Sequence, residues 1–219
     1  MIRRRRYAAL PMLCLVLLAG ADQPAAATDP ASPKEAYKSL RAAIERADAE
    51  AVKRLLIIDN EQDPSQPLVT AYANLLLAGK RLGEAARKKF PGTSDAFALG
   101  TLPTEEAAKI DAAAQSIEGD RATLKLQGED HPVMLRRIDG NWKVVLSQEP
   151  AGATAAQRAD QLALVQGLAD AMNSCADDIA ADRFASAEDA KNAVKERLGA
   201  VQAKAIQSQP PASRPATQP

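Results

Sequence analysis

The sequence predicts an α+β fold in which N-terminal helices pack on an antiparallel sheet and a C-terminal helical hairpin follows. Two observations predict it. Apolar residues recur at helical spacing before residue 90 and again after residue 150. Between these regions, short alternating segments are joined by Gly-Asp and Asp-Gly turns, a pattern typical of antiparallel hairpins.

Residues 1–21 have the layout of a secretory signal peptide. Four arginines precede the apolar run Tyr7–Leu18, and Ala19-Gly20-Ala21 offers a cleavage site, with residues 25–27 as the alternative. A membrane-spanning helix needs about 20 apolar residues, so this run favours a cleaved leader over an uncleaved anchor. We therefore expect an exported protein, in the periplasm or outside the cell, with no stable membrane span after cleavage.

The charge balance and the cysteine count limit the classes of partner. The leader contains four of the 28 Lys and Arg residues, which leaves 24 basic against 28 acidic residues and a net charge of −4. Such a chain lacks the basic stripe that neutralises phosphates, so we expect no nucleic-acid partner. Cys14 lies in the leader, and Cys175 is then either a buried small apolar residue or part of an intermolecular disulfide.

Three helices are predicted before residue 90. Ser32-Pro33-Lys34-Glu35 combines a capping serine, a proline at the first helical position and a glutamate three residues after the cap. Asp48 caps a second helix, whose apolar stripe is Val52, Leu55 and Leu56, and the turn residues 58–67 end it. The third helix has one face formed by Leu68, Tyr72, Leu75, Leu82 and Ala86, and ends at Phe90-Pro91-Gly92.

Four strands are predicted from Ala113 to Ser147. The first two flank Glu118-Gly119-Asp120, and the second of them turns Ala122, Leu124 and Leu126 inward. The third and fourth meet at Asp139-Gly140, a strong hairpin signal because such turns need the positive φ that glycine adopts freely. One face of the fourth strand carries Trp142, Val144 and Leu146.

Two helices are predicted in residues 151–206. The first has a near-heptad stripe, typical of a coiled coil, formed by Leu162, Val165, Leu168, Met172, Cys175 and Ile179. Ser186 caps the second. The resulting hairpin packs either on the sheet or on a second copy of itself, which would make a homodimer. Residues 207–219, rich in Pro, Ser, Ala and Gln, are predicted to be a disordered tail.

Two segments carry a resemblance to a known family. The segments AIERADAEAVKRLL and SIEGDRATLKLQG…PVMLRRIDGNWKVVL together resemble the nuclear transport factor two-like, or ketosteroid-isomerase-like, superfamily over residues 33–147. The resemblance implies a bent antiparallel sheet wrapped round the N-terminal helices, forming a cone-like domain over residues 30–148 with a pocket at its mouth. Enzymes of the superfamily place an Asp base and an oxyanion hole in this cone. No local pattern here matches those catalytic residues.

Four residues are candidates for binding a ligand: Trp142, Tyr37, Tyr72 and His131. A tryptophan and tyrosines on apolar faces would line a pocket if the cone is open, and are core residues if it is filled. His131 is either a proton carrier or an exposed turn residue. We assign no catalytic residue. One histidine and one remaining cysteine make no zinc site, and nucleotide-loop and metalloprotease motifs do not occur, so no metal or cofactor is expected.

Three functions remain open on the sequence. The first is an exported, non-catalytic module that binds a small apolar ligand or an envelope protein. The second is a cone-type lyase or isomerase, which requires an Asp, His or Tyr facing an enclosed apolar cavity; a cone filled by Trp142, Leu124 and Leu135 would argue against it. The third is an assembly protein that dimerises through its C-terminal helices.

Overall fold

The computed structural model describes residues 30–59, 66–92, 107–129, 131–148 and 154–208. These residues form an α+β fold with six helices and a five-stranded mixed sheet. The helices are α1 (Pro33–Glu45), α2 (Ala49–Leu55), α3 (Gln66–Lys89), α4 (Ala107–Ala112), α5 (Ala155–Ala180) and α6 (Ala187–Ser208). The strands are β1 (Leu56–Asp59), β2 (Ala114–Glu118), β3 (Arg121–Lys125), β4 (Val133–Ile138) and β5 (Asn141–Gln148).

The two ends of the chain contain predictions that the structure does not describe. The signal peptide lies outside the described residues, as does the predicted tail from residue 209 onward. The tail was expected to begin at residue 207, but α6 continues to Ser208. Across the described helices, none combines the length and the apolar character that crossing a membrane requires.

The predicted helix starts are confirmed by their caps. The Ser32 hydroxyl accepts a hydrogen bond from the Glu35 backbone N–H at 3.2 Å, and the Asp48 carboxylate accepts one from Ala51 at 3.0 Å. The Ser186 hydroxyl does the same for Asp189 at 3.1 Å. Each of these side chains satisfies a backbone donor that the first turn of a helix leaves without an intrahelical partner.

Strand β1 corrects the sequence analysis in two respects. Leu56 was expected on the second helix and residue 58 onward in a turn, but Leu56–Asp59 is a strand. It pairs parallel to β5, with Leu56 beside Val144, so the sheet is mixed rather than antiparallel throughout. The physical reason is tertiary: a four-residue apolar segment has no clear period of its own, and pairing with a distant strand decides its conformation.

Both predicted hairpins are confirmed, and their turns differ in type. In the β2–β3 turn, Gly119 has a φ of +60° while Asp120 does not have a positive φ, which is the type II′ pattern with glycine first. In the β4–β5 turn, Asp139 and Gly140 have φ values of +50° and +84°, the type I′ pattern. Both types match the right-handed twist of their strands, so these short sequences determine that β2 neighbours β3 and that β4 neighbours β5. The pairing of β3 with β4 completes the order β5-β4-β3-β2.

A first hydrophobic core lies between one face of the sheet and the helices α1, α2 and α3. Helix α1 packs on β3 and β5, and α2 packs on β1 and β5. Among its largest buried side chains are Tyr37, Leu40, Ile58, Leu124, Leu135 and Trp142. The inward positions predicted for β3 and β5 are confirmed, since Ala122, Leu124, Trp142 and Val144 are all buried.

A second core is formed by the C-terminal half of α3 with α5 and α6. Helices α3 and α5 run in the same direction, because Tyr72 contacts Gln161 and Lys89 pairs with Asp182 further along both helices. Helix α6 returns antiparallel along α5. The predicted hairpin therefore packs on its own chain, and its main contact is α3 rather than the sheet.

Candidate functional site

A groove of about 630 Å³ runs between α3 and α5 and is the candidate site. Its floor contains Ala71 and Ala78 from α3 and Ala169 from α5, all of them buried. Their methyl side chains leave space that leucine or methionine at the same positions would fill. The groove therefore results from small residues on the facing sides of two parallel helices, and its volume falls in the range of small-molecule sites.

Polar side chains form the walls of the groove. On α5 they are Gln166, Asp170 and Asn173, and on α3 they include Asn74 and Arg81. Spacings of three, four and seven residues place side chains on one face of a helix, so each wall is a single polar stripe. Asn74, Gln166 and Asp170 are exposed, so their amide and carboxylate groups are accessible from the groove.

The charges of the lining are balanced. The basic residues are Lys80 and Arg81, and the acidic residues are Glu84 and Asp170. Lys80 forms a salt bridge with Glu84. The Arg81 guanidinium donates hydrogen bonds to the Asp177 carboxylate at 2.5 Å and to the Asn173 side-chain oxygen at 3.4 Å. These contacts hold the Arg81 side chain across the groove, so one end of it is fixed.

A second polar cluster lies between α5 and α6. Buried Asp178 accepts hydrogen bonds from Arg197 at 2.5 Å and forms a salt bridge with Arg183 at 2.9 Å. Arg197 also donates to the Ser174 hydroxyl at 2.8 Å and to the Cys175 sulfur at 3.6 Å. The hydrogen bond that Arg197 donates to the Asp178 carboxylate is the main reason that the pKa of Arg197 is raised. Because these groups form hydrogen bonds and salt bridges with each other, this cluster joins α5 to α6 rather than facing a ligand.

Cys175 is buried, as one of the two predicted alternatives required, and it is a free thiol in the described part of the chain. Burial raises the pKa of its thiol, against an opposing effect of the nearby Arg197 charge. A buried thiol with a raised pKa is a poor nucleophile. Within the described ranges, no group of three or more His, Cys, Asp or Glu side chains could hold a metal ion.

Two of the four residues predicted to bind a ligand lie in the first core. Trp142 is 3% exposed, and the Arg137 guanidinium lies 5.5 Å from the centre of its ring, in position for a cation–π contact. Tyr37 is completely buried. Together with Leu124 and Leu135, Trp142 fills the space between the sheet and the helices, which is where the sequence analysis placed a pocket if the cone were open.

The other two predicted residues lie apart from each other. Tyr72 is half-buried on α3, and its hydroxyl oxygen is 3.3 Å from the Gln161 side-chain nitrogen. His131 is exposed immediately before β4, and its neighbour Asp130 lies outside the described residues. None of the four predicted residues lines the groove.

The residues of the groove were not recognised in the sequence. Asn74, Gln166, Asp170 and Asn173 occupy polar faces of amphipathic helices, where such residues ordinarily face solvent. The alanines of the floor are likewise ordinary helix formers. The site exists only because α3 and α5 lie side by side, and no local pattern indicates which distant helices will pair.

Comparison with known proteins adds no family to this description. No family model matches the chain, and neither a curated protein nor a solved structure was found to match it.

Proposed function

We propose that this chain is an exported, non-catalytic binding protein that holds a small polar ligand in the groove between α3 and α5. The observation that carries the proposal is the groove itself, with its alanine floor and its two stripes of accessible polar groups. Export is supported by the signal-peptide layout of residues 1–21.

The lining favours a ligand with little or no net charge. Two basic and two acidic side chains balance each other, so the groove offers no excess charge for an anion or a cation. The side-chain amides of Asn74 and Gln166 both donate and accept hydrogen bonds, and the Asp170 carboxylate accepts them. This combination suits amide, hydroxyl or zwitterionic groups, and it replaces the apolar ligand expected from the sequence.

We also propose that residues 30–148 are a cone-like domain of the nuclear transport factor two-like type with a filled interior. Support comes from helices that precede an antiparallel meander and pack on one of its faces. In this proposal the side chains of Trp142 and Leu135 fill the interior of the cone. The cone then serves as a scaffold, and the ligand binds on its helical flank.

Native mass spectrometry tests the binding function. The protein is purified gently from the envelope or medium of its host, and we expect a discrete added mass that represents a retained ligand. The double variant Asn74→Ala/Asp170→Ala removes two polar groups of the groove, and we expect it to lose the added mass. The matched control Asn192→Ala/Glu196→Ala likewise removes one amide and one carboxylate, from exposed positions on α6, and should retain it.

Two results would contradict the proposal. One is an added mass that persists in the groove variant. The other is a wild-type protein without any added mass whose melting temperature is unchanged by millimolar neutral or zwitterionic solutes, since binding to the folded state raises apparent stability.

A further inference from the structure

The two edges of the sheet differ in how they are covered. At one edge, the β1 residues Leu56, Ile57 and Ile58 are buried, α2 and α3 pack on the strand, and its register is irregular. At the other edge, all five residues of β2 are exposed, and β3 is the only described element with which β2 packs extensively. An uncovered edge strand is a template for pairing with another strand.

The turn type determines which backbone groups of β2 face outward. In a two-residue hairpin the residues that flank the turn, Glu118 and Arg121, form a hydrogen-bonded pair, and such pairs alternate along an antiparallel ladder. Ser116 and Glu118 therefore direct their N–H and C=O groups toward β3. Gln115 and Ile117 direct theirs toward the open edge.

Strand β2 lacks several of the devices that usually prevent edge pairing. Its sequence, Ala-Gln-Ser-Ile-Glu, contains no proline and no lysine, and its register with β3 is continuous over five pairs. Ile117 is 49% exposed, although it pairs with Ala122, whose side chain is buried in the first core. Because cross-strand partners share a face, Ile117 extends the apolar face of the sheet beyond its helical cover.

We propose that β2 pairs antiparallel with the β2 strand of a second copy of this chain, about a two-fold axis at Ser116. This pairing joins the two five-stranded sheets into one continuous sheet. Gln115 and Ile117 of each copy then exchange backbone hydrogen bonds with Ile117 and Gln115 of the other. The two Ser116 residues face each other as a non-hydrogen-bonded pair.

Side-chain complementarity favours a second copy in this register. Glu118 lies opposite Ala114 of the second copy, and Ala114 is itself paired with Lys125. The Glu118 carboxylate of one copy therefore lies near Lys125 of the other, with only the methyl group of Ala114 between them. No like charges face each other. At the axis the two serines are flanked by Thr123 of each copy, and Ser–Thr neighbours on one sheet face stabilise strand pairing.

The interface is small, so we expect a weak dimer that forms at high protein concentration. Five residues per strand bury less surface than the roughly 1,200 Å² typical of stable complexes. The dimer does not depend on the groove between α3 and α5, because none of the groove residues lies on β2.

Cysteine cross-linking of the chain without its leader, residues 1–21, which contains Cys14, tests the register of the pairing. In Ser116→Cys the two thiols face each other at a Cα separation of about 4.5 Å, which a disulfide spans without strain. In the control Glu118→Cys the equally exposed thiol faces Ala114 of the second copy. We expect the Ser116→Cys dimer to form at least about tenfold faster, an increase typical of pre-positioned groups, and buried Cys175 does not compete.

Sedimentation at increasing protein concentration tests the edge itself. Ile117→Pro removes a backbone donor that faces outward, so it leaves the β2–β3 ladder intact and should weaken the dimer at least about tenfold. Ile206→Thr, at the other exposed isoleucine, should leave dimerisation unchanged. Circular dichroism checks that each variant is folded.

Three results would overturn the inference. Equal cross-linking rates at positions 116 and 118 would indicate random collision. A wild-type chain that is still monomeric at about 1 mM would exclude the pairing, because a dissociation constant above that concentration is weaker than that of typical specific complexes. A Ser116→Cys variant that cross-links to a different envelope protein and never to itself would identify another occupant of the edge.

Discussion

The two cores of this molecule are built from side chains of different size. The first core, between sheet and helices, contains one tryptophan, one tyrosine and several branched aliphatic residues. In the second core, between α3, α5 and α6, alanine makes up five of the ten described buried residues, compared with seven of 23 in the first core. Both exclude water, but the first does so by filling volume and the second by bringing helices close together.

This difference predicts two kinds of sensitivity. A core that is filled by large side chains loses most when one of them is truncated, because a cavity remains. A core that depends on close approach loses most when an atom is added at a contact or when the polar groups that hold its helices are removed. Three sets of substitutions test this distinction, and a fourth experiment follows the pH dependence of the second core.

The largest effect is expected from truncation in the first core. Trp142→Ala removes a side chain that is almost fully buried, and we expect the free energy of unfolding to fall by about 3–5 kcal/mol. Trp142→Phe, which retains much of the volume, should cost less than half of that. Urea unfolding followed by circular dichroism measures both, since the variants lack the tryptophan needed for fluorescence. Equal losses would indicate that volume is not what this core depends on.

The second largest effect is expected at the polar edge of the second core. Asp178→Ala leaves Arg183 and Arg197 without their carboxylate partner, and we expect a loss of about 1–3 kcal/mol. The control is the neighbouring Asp177→Ala, whose salt bridge with Arg81 is exposed on both sides and is worth at most about 1 kcal/mol. If the control costs as much as Asp178→Ala, burial of this carboxylate has no special effect on stability.

A smaller effect is expected from one added methyl group where α5 contacts α6. A Cβ at Gly167 would lie 2.9 Å from Val201 Cγ1, whereas a Cβ at Gly199 meets nothing within 4 Å. Gly167→Ala should therefore cost about 1 kcal/mol, the net of overpacking and helix propensity, while Gly199→Ala should stabilise by up to about 1 kcal/mol. The double variant Gly167→Ala/Val201→Ala should recover the lost stability, as measured by thermal unfolding. If it does not, the contact between the added methyl group and Val201 is unimportant.

The smallest effect is expected from the pH dependence of the second core. Burial raises the pKa of the Cys175 thiol, so the unfolded chain releases this proton at a lower pH than the folded chain. The thiol's contribution to stability is complete below the unfolded pKa of about 8.5 and is lost as pH rises through the folded value. Wild type should lose stability faster than Cys175→Ala above pH 8.5, by at most about 1.4 kcal/mol per pH unit. If the free energies of unfolding of the two proteins, measured as a function of pH, fall in parallel, this expectation is wrong.

Local chemistry explains which parts of the fold the sequence could predict. Ser32, Asp48 and Ser186 satisfy backbone donors within three residues, and the two hairpins depend on glycine at a turn. In each case the interacting atoms are neighbours in the chain, so the pattern is visible before the fold is known.

The remaining parts depend on contacts between distant residues. Strand β1 is a strand because Leu56 and Ile57 pair with Val144 and Val145. The groove exists because α3 pairs with α5, and its alanines resemble those of any helix. Trp142 and Tyr37 were correctly placed on apolar faces, but whether such faces enclose a pocket or a packed core depends on how closely the layers approach.

Helix α3 belongs to both cores, and this has a consequence for the order in which the chain folds. During synthesis the first core, except for the part that α5 contributes through Val165, can form once β5 has been made. Ala78, Leu82 and Ala86 then still expose their apolar side chains on one face of α3. That face remains open until α5 has emerged, nearly at the end of the chain. The nascent protein therefore passes through a late intermediate in which the first core is nearly complete and one apolar face of α3 is still exposed. A chaperone that shields this face would prevent aggregation most effectively at this stage.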